Sequence, residues 1–99
     1  MLTSNEILSY LKANKSYLHE NFHCTKIGLF GSYARNQQTE TSDIDIVVLF
    51  EPDTPDLYYT ELALKELIAK NFNKKVDICS EKWINPIFKS AILKEALYA

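Results

Sequence analysis

The stretch FGSYARNQQTETSDIDIVVLF, residues 30–50, contains the most informative pattern in the chain. One apolar run ends there in the pair Gly31–Ser32, and a second apolar run opens with Asp43 and Asp45. Ten residues separate the serine from the first aspartate. Because a glycine–serine turn and paired carboxylates both suit phosphate chemistry, we expect the two ends of the stretch to form one site.

Asp43 and Asp45 are two residues apart at the start of an apolar strand, so their side chains point to the same face. Two such carboxylates lie about 6.5–7 Å apart and repel each other by about 2.5 kcal/mol at an effective dielectric of about 20. Asp77, inside the strand-like segment KVDIC, adds a third carboxylate if it points the same way. Hard oxygen donors of this kind are typical ligands of Mg²⁺.

The glycine–serine pair predicts a phosphate-binding turn. Gly31 has no Cβ and lets the chain pass close to a ligand, and Ser32 begins a short helical turn over residues 32–36 with free N–H groups. Arg35 follows one turn later. Its guanidinium has two open roles, a contact with phosphate or a structural salt bridge.

The periodicity of the apolar residues predicts a small mixed α/β (α+β) domain covering residues 1–99. Thr3 and Glu6 fit a capping box for the first helix, Asp56 is placed to cap the second long helix, and Asn85 with Pro86 suits the start of the last. The predicted order is α-β-(short α)-β-α-β-α. The predicted helices cover residues 3–21, 57–72 and 86–97, and the predicted strands cover 25–30, 43–50 and 75–79. The expected buried side of the second long helix consists of Leu57, Leu62, Leu64, Leu67, Ile68 and Phe72.

The connection lengths predict how the strands pair. Eleven residues between the first two strands are too few for a parallel crossover, which needs about a dozen or more, so these strands should be antiparallel. The helix between the second and third strands favours a parallel crossover there. We therefore predict a mixed sheet of three or four strands flanked by helices. One edge of this sheet should carry Gly31, Ser32, Asp43 and Asp45.

The composition limits the classes of function. A net charge of −2 and a pI of about 5.6 disfavour broad electrostatic binding to nucleic acid. No apolar run approaches the roughly 20 residues needed to cross a bilayer, and no secretory signal is evident, so we expect a cytoplasmic protein with free thiols at Cys24 and Cys79. His19 and His23 are spaced like metal ligands on a helix, but the absence of a nearby third ligand favours a structural role.

The pattern of G-S, ten residues and D-x-D resembles the signature of the DNA polymerase beta-like nucleotidyltransferase superfamily. The short chain is similar to its minimal nucleotidyltransferases, the MntA-type antitoxins of HEPN/MNT toxin–antitoxin pairs. The resemblance implies that Asp43, Asp45 and Asp77 bind two Mg²⁺ ions, that Gly31 and Ser32 hold the triphosphate, and that Asp77 also helps to activate the acceptor hydroxyl. One departure is Asn36, where the family usually has glycine; asparagine also tolerates the left-handed conformation, so the backbone path should be kept.

The resemblance also implies an activity and a partner. The expected reaction is Mg²⁺-dependent transfer of AMP from ATP to a hydroxyl, that of a tyrosine in a cognate HEPN RNase toxin, with no direct contact to nucleic acid or membrane. Two alternatives stay open: an antitoxin that neutralises its partner by binding alone, and a small-molecule nucleotidyltransferase of the antibiotic type that completes its acceptor pocket by forming a homodimer. The acceptor atom, the choice of ATP over other nucleotides and the number of nucleotides transferred are left open by the residues.

Overall fold

The computed structural model describes residues 1–99, in which a four-stranded mixed sheet is flanked by helices. None of the helices combines the length and the apolar character needed to cross a membrane. The strands lie in the order β3-β2-β1-β4. The elements are α1 (Ser4–Ala13), α2 (Lys15–Phe22), β1 (Cys24–Phe30), α3 (Gly31–Ala34), β2 (Ile44–Phe50), α4 (Leu57–Phe72), β3 (Val76–Ser80), a 3-10 turn (Glu81–Trp83), α5 (Pro86–Glu95) and β4 (Leu97–Tyr98).

The N-terminal region contains two helices rather than the single predicted one. The capping box is confirmed: the Thr3 hydroxyl accepts the Glu6 N–H at 3.2 Å, and the Glu6 carboxylate accepts the Thr3 N–H at 3.3 Å. The helix breaks at Asn14, whose side-chain amide donates to the carbonyl of Tyr10 at 2.8 Å. Asparagine competes in this way with the backbone of a helix, which explains the break.

The predicted strand directions are confirmed. β1 and β2 pair antiparallel, with Phe30 opposite Asp45, and β2 and β3 pair parallel, with Asp45 opposite Asp77. The crossover between β2 and β3 contains α4, which begins and ends where the periodicity predicted. Leu64 and Ile68 of α4 are fully buried against the sheet.

The core lies on one face of the sheet. Alternate residues of β2 belong to it, and Asp45 lies between them on the opposite face. Asp45 is half-buried on that opposite face and shares it with Val47, which is fully buried. The core members of β2 are Ile44, Ile46, Val48 and Phe50.

The C-terminus differs from the prediction. α5 begins after Asn85, whose side chain accepts the Ile87 N–H as expected, but it ends at Glu95 and not near residue 97. The following residues form β4 and pair with Gly28 and Leu29 at the edge of β1. A Cβ on Gly28 would lie 2.9 Å from the carbonyl oxygen of Leu97, so glycine makes room for this strand.

Three smaller predictions are wrong. Asp56 adopts a left-handed conformation with φ 47° and makes no side-chain cap hydrogen bond to α4. Asp43 lies immediately before β2 and not within it. Leu62, expected on the buried side of α4, is 38% exposed because the core stripe of that helix runs through Leu64 and Ile68.

Candidate active site

Three carboxylates meet on the face of the sheet opposite the core. Asp45 on β2 and Asp77 on β3 are direct partners in the parallel ladder, so their side chains share a face. Asp43 precedes Asp45 by two residues at the end of the loop that leads into β2. The fold thus brings the three acids of the sequence pattern to one place.

Asp45 is the central charge of this cluster. Burial raises the pKa of its carboxyl, and the neighbouring charges of Asp77 and then Asp43 raise it further. Arg35 acts in the opposite direction, but the net shift remains upward. Neither Asp45 nor Asp77 has an ion-pair partner, whereas Asp43 lies 3.7 Å from the Lys75 ammonium at an exposed position. Arg35 therefore offsets the charge of Asp45 only in part, and Asp45 and Asp77 lie together without an ion pair.

The donor chemistry of the cluster fits Mg²⁺. As the side chains stand, no three acidic, histidine or cysteine groups are close enough to form a metal-ligand cluster. A hard cation takes only one or two protein carboxylates when phosphate oxygens complete its shell, so a site without three converging protein ligands still suits it. Asp43, Asp45 and Asp77 are the residues that would hold it.

Gly31 joins the predicted phosphate-binding turn to the carboxylates. It has φ +73°, in the left-handed region, and a Cβ added there would overlap Oδ2 of Asp45 and lie 3.0 Å from its Cγ. Only glycine therefore fits between the end of β1 and Asp45. Ser32 follows directly in the single turn of α3, so the turn and the carboxylates form one continuous site.

Glu95 holds this turn, a contact that no sequence pattern predicted. Its Oε1 accepts the Gly31 N–H at 2.9 Å, and its carboxylate accepts from Arg35 Nη1 at 3.1 and 3.2 Å. Of the two roles open for Arg35, the structure contains the salt bridge, with Glu95 as the partner. A single acidic residue at the end of a helix matches no known sequence motif. The position of Glu95 depends on the bend between α5 and β4, which the sequence did not predict.

The predicted backbone conformation at Asn36 is confirmed, and the two histidines share an acidic neighbour. Asn36 adopts the left-handed conformation with φ 58°, so it replaces the usual glycine without changing the backbone path. His19 contacts Glu51 at 2.7 Å through Nε2, and His23 lies 3.9 Å from the same carboxylate. The histidine pair thus has a structural partner in the loop after β2.

Replacing Glu95 with alanine is expected to destabilise the fold by about 1–2 kcal/mol, since a hydrogen bond to a charged acceptor contributes roughly 1.5–3 kcal/mol and exposure weakens the Arg35 pair. The Gly31 amide should also exchange its hydrogen faster. Urea unfolding and hydrogen exchange measure the two effects. Glu20→Ala is the matched control, because Glu20 is exposed on α2. Equal loss of stability in both variants would contradict this role of Glu95.

Comparison with known proteins places this chain in a family. Residues 12–98 match the family model described as polymerase beta, nucleotidyltransferase. A Methanocaldococcus jannaschii chain, provisionally named a protein adenylyltransferase, is 39% identical over 99 residues and covers 99% of each chain. The protein adenylyltransferase MntA of Thermococcus cleftensis is 37% identical, covering 99% of this chain and 97% of the relative. Among solved structures, a toxin–antitoxin complex with AMP-PNP is 26% identical, with a TM-score of 0.70 over 98% of this chain and 72% of that one.

Proposed function

This chain belongs to the polymerase beta nucleotidyltransferase family, and we propose that it transfers AMP from ATP to a tyrosine hydroxyl of a cognate HEPN-domain toxin and thereby acts as the antitoxin. The observation that carries the proposal is the continuous site formed by Gly31, Asp45 and Asp77 on three adjacent strand ends. Such a site provides a phosphate-binding turn and a carboxylate cluster side by side, which nucleotidyl transfer requires.

In this proposal each residue has a separate task. The α3 turn at Gly31 and Ser32 binds the triphosphate. Asp43, Asp45 and Asp77 would hold Mg²⁺, and Asp77 also accepts the proton of the acceptor hydroxyl. Mg²⁺, when bound, neutralises the charge that develops on the attacking and leaving oxygens. The acceptor oxygen forms a bond to the α-phosphorus while the bond to pyrophosphate breaks.

Arg35 and Glu95 hold the phosphate-binding turn in position and take no part in making or breaking bonds. The Glu95 carboxylate binds both the Gly31 amide and the Arg35 guanidinium, and it thereby fixes where the phosphate-binding turn lies. Arg35 is 47% exposed at its side chain, so its remaining donors can still meet a phosphate oxygen. We therefore assign Arg35 an auxiliary role in nucleotide binding.

The choice of ATP and of a toxin as partner rests on the relatives. A full-length relative is named a protein adenylyltransferase, and a solved relative of the same fold is a toxin–antitoxin complex with AMP-PNP. The HEPN class and the tyrosine acceptor come from the resemblance of the G-S and D-x-D pattern to MntA-type antitoxins. A cytoplasmic location, with Cys24 and Cys79 as free thiols, belongs to the same proposal.

Transfer of label from ATP separates catalysis from neutralisation by binding. The wild-type chain, incubated with α-labelled ATP, Mg²⁺ and the cognate HEPN-domain protein, is expected to label that protein and to restore growth of cells that express it. Asp43→Asn should remove both effects. Growth restored by Asp43→Asn without any label would contradict the enzymatic proposal and support an antitoxin that acts by binding alone.

A further inference from the structure

The carboxylate of Glu95 lies where an anion would bind in the phosphate-binding turn. Its Oε1 accepts the Gly31 N–H at 2.9 Å, and its two oxygens accept from Arg35 Nη1 at 3.1 and 3.2 Å. A backbone N–H and a guanidinium are donors that proteins commonly use for phosphate oxygens. Glu95 therefore occupies donors that a triphosphate in this turn would use.

The same carboxylate adds to the negative charge of the site. Burial and then the charges of Asp77 and Asp43 raise the pKa of the Asp45 carboxyl, and the charge of Glu95 raises it further. The Glu95 side chain is only 29% exposed, so water screens this charge in part. A triphosphate that enters the turn meets the charge of Glu95 in addition to the charges of the three aspartates.

Glu95 is also one of the few ties that hold the C-terminal end of the chain. None of the ten residues of α5 is buried, and β4, which follows it, has only two residues. Beyond β4, the Ala99 N–H donates to the carbonyl of Ile27 at 2.9 Å. A segment with so few buried contacts opens easily, so loss of the Glu95 contacts should loosen it.

We propose that Glu95 competes with the triphosphate: it fixes the turn while no nucleotide is bound, and it leaves Gly31 and Arg35 when phosphate oxygens take its place. Glu95 thereby lowers the affinity of the chain for nucleotide. The inference rests on the proposed function, since the triphosphate must bind at this turn, and it adds which residue must move to admit it. Arg35 then exchanges a carboxylate partner for a phosphate.

Calorimetric titration with AMP-PNP and Mg²⁺ tests this competition. Glu95→Asp keeps the charge but shortens the side chain by one methylene, which withdraws the carboxylate from the Gly31 N–H. We expect this variant to bind AMP-PNP about fivefold more tightly than the wild type, because fewer hydrogen bonds must break first. Glu95→Gln keeps the length without the charge and should bind about tenfold more tightly. Inorganic triphosphate should show the same order of affinities.

Glu81→Asp is the matched control. Glu81 also ties down the C-terminal strand, since it accepts from the Tyr98 hydroxyl at 3.3 Å and lies 3.6 Å from the Lys26 ammonium, and neither contact involves the turn. Its shortened variant should bind AMP-PNP within about twofold of the wild type. Equal tightening in Glu81→Asp and Glu95→Asp would overturn the proposal, because a looser C-terminus would then be the cause.

Hydrogen exchange of the wild-type chain provides a test that needs no variant. AMP-PNP with Mg²⁺ should speed exchange at the Ala96 and Ala99 amides, which donate to the carbonyls of Ile92 and Ile27, because the phosphates release Glu95 from the turn. Exchange that is unchanged or slower at both amides would mean that Glu95 stays in place, and it would overturn the competition.

The outcomes separate this inference from the function on which it rests. A wild-type chain and a Glu95→Asp variant that both fail to bind AMP-PNP overturn the proposed function together with this inference. Binding by the wild type with equal or weaker binding by Glu95→Asp overturns the competition alone, since a residue that only positions the turn loses affinity when it is shortened.

Discussion

Asp45→Asn is expected to reduce AMP transfer by about 10³-fold or more, because in the proposed mechanism it removes the central charge that would hold Mg²⁺. The same change should not weaken the fold. Burial and the charges of Asp77 and Asp43 raise the pKa of the Asp45 carboxyl, so its ionised form opposes folding. Asparagine keeps the shape of the side chain without the charge.

The raised pKa of Asp45 determines whether Asp45→Asn stabilises or destabilises the folded chain. Below the pKa of the unfolded chain Asp45 is protonated in both states, and the stability of its neutral form relative to its charged form is fully present. As the pH rises through the folded-state pKa, the stability contributed by the protonated form is lost, and it stays lost at neutral pH. Asp45→Asn should therefore unfold at a higher temperature than the wild type at pH 7 in a chelator, with a smaller difference at low pH.

Initial rates of transfer and thermal unfolding with and without Mg²⁺ measure the two effects. Asp53→Asn is the control, since Asp53 is an exposed acid in the loop after β2. Mg²⁺ should raise the unfolding temperature of the wild type and of Asp53→Asn but not that of Asp45→Asn. Transfer retained by Asp45→Asn, or lost to the same extent in Asp53→Asn, would count against the carboxylate cluster as the metal site.

Gly31→Ala is expected to have the second-largest effect. The new methyl group would overlap the Asp45 carboxylate, and a left-handed φ of +73° costs alanine about 1–2 kcal/mol. Because a displacement of about 1 Å can cost roughly 100-fold in rate, we expect transfer to fall by about that factor together with a measurable loss of stability. Urea unfolding and initial rates at saturating ATP measure these changes.

Asn36→Gly is the matched control for Gly31→Ala. Asn36 lies in the same segment with φ 58°, a conformation that glycine adopts without strain. The Asn36→Gly variant should be as stable as the wild type or more stable, and it should transfer AMP at the same rate. Wild-type activity in Gly31→Ala would show that the turn does not need to pass so close to Asp45.

Local signals in the sequence were sufficient for much of this fold. The 3.6-residue period defined α4 at both ends, and the short connection between β1 and β2 excluded a parallel pair. A parallel crossover returns β3 in the direction of β2, but the register that sets Asp77 opposite Asp45 could not be read from the sequence. The antiparallel pairing of β1 and β2 brings Gly31 to the same edge as Asp45.

Other features depend on contacts between distant parts of the chain. β4 has only two residues and exists because Gly28 leaves space at the edge of β1. Glu95 reaches the Gly31 amide only because α5 ends where β4 begins. The exposure of Leu62 depends on how α4 sits over the sheet, and apolar periodicity alone cannot distinguish the core stripe from the neighbouring one.

The intact mass of the cognate HEPN-domain protein after incubation with this chain, ATP and Mg²⁺ tests whether this chain transfers AMP to its partner. We expect the partner to gain one or more adenylyl groups, fragmentation to place them on a tyrosine, and the gain to disappear with Asp45→Asn. A partner whose mass is unchanged by the wild-type chain, while its toxicity is still neutralised, would show that neutralisation does not require AMP transfer.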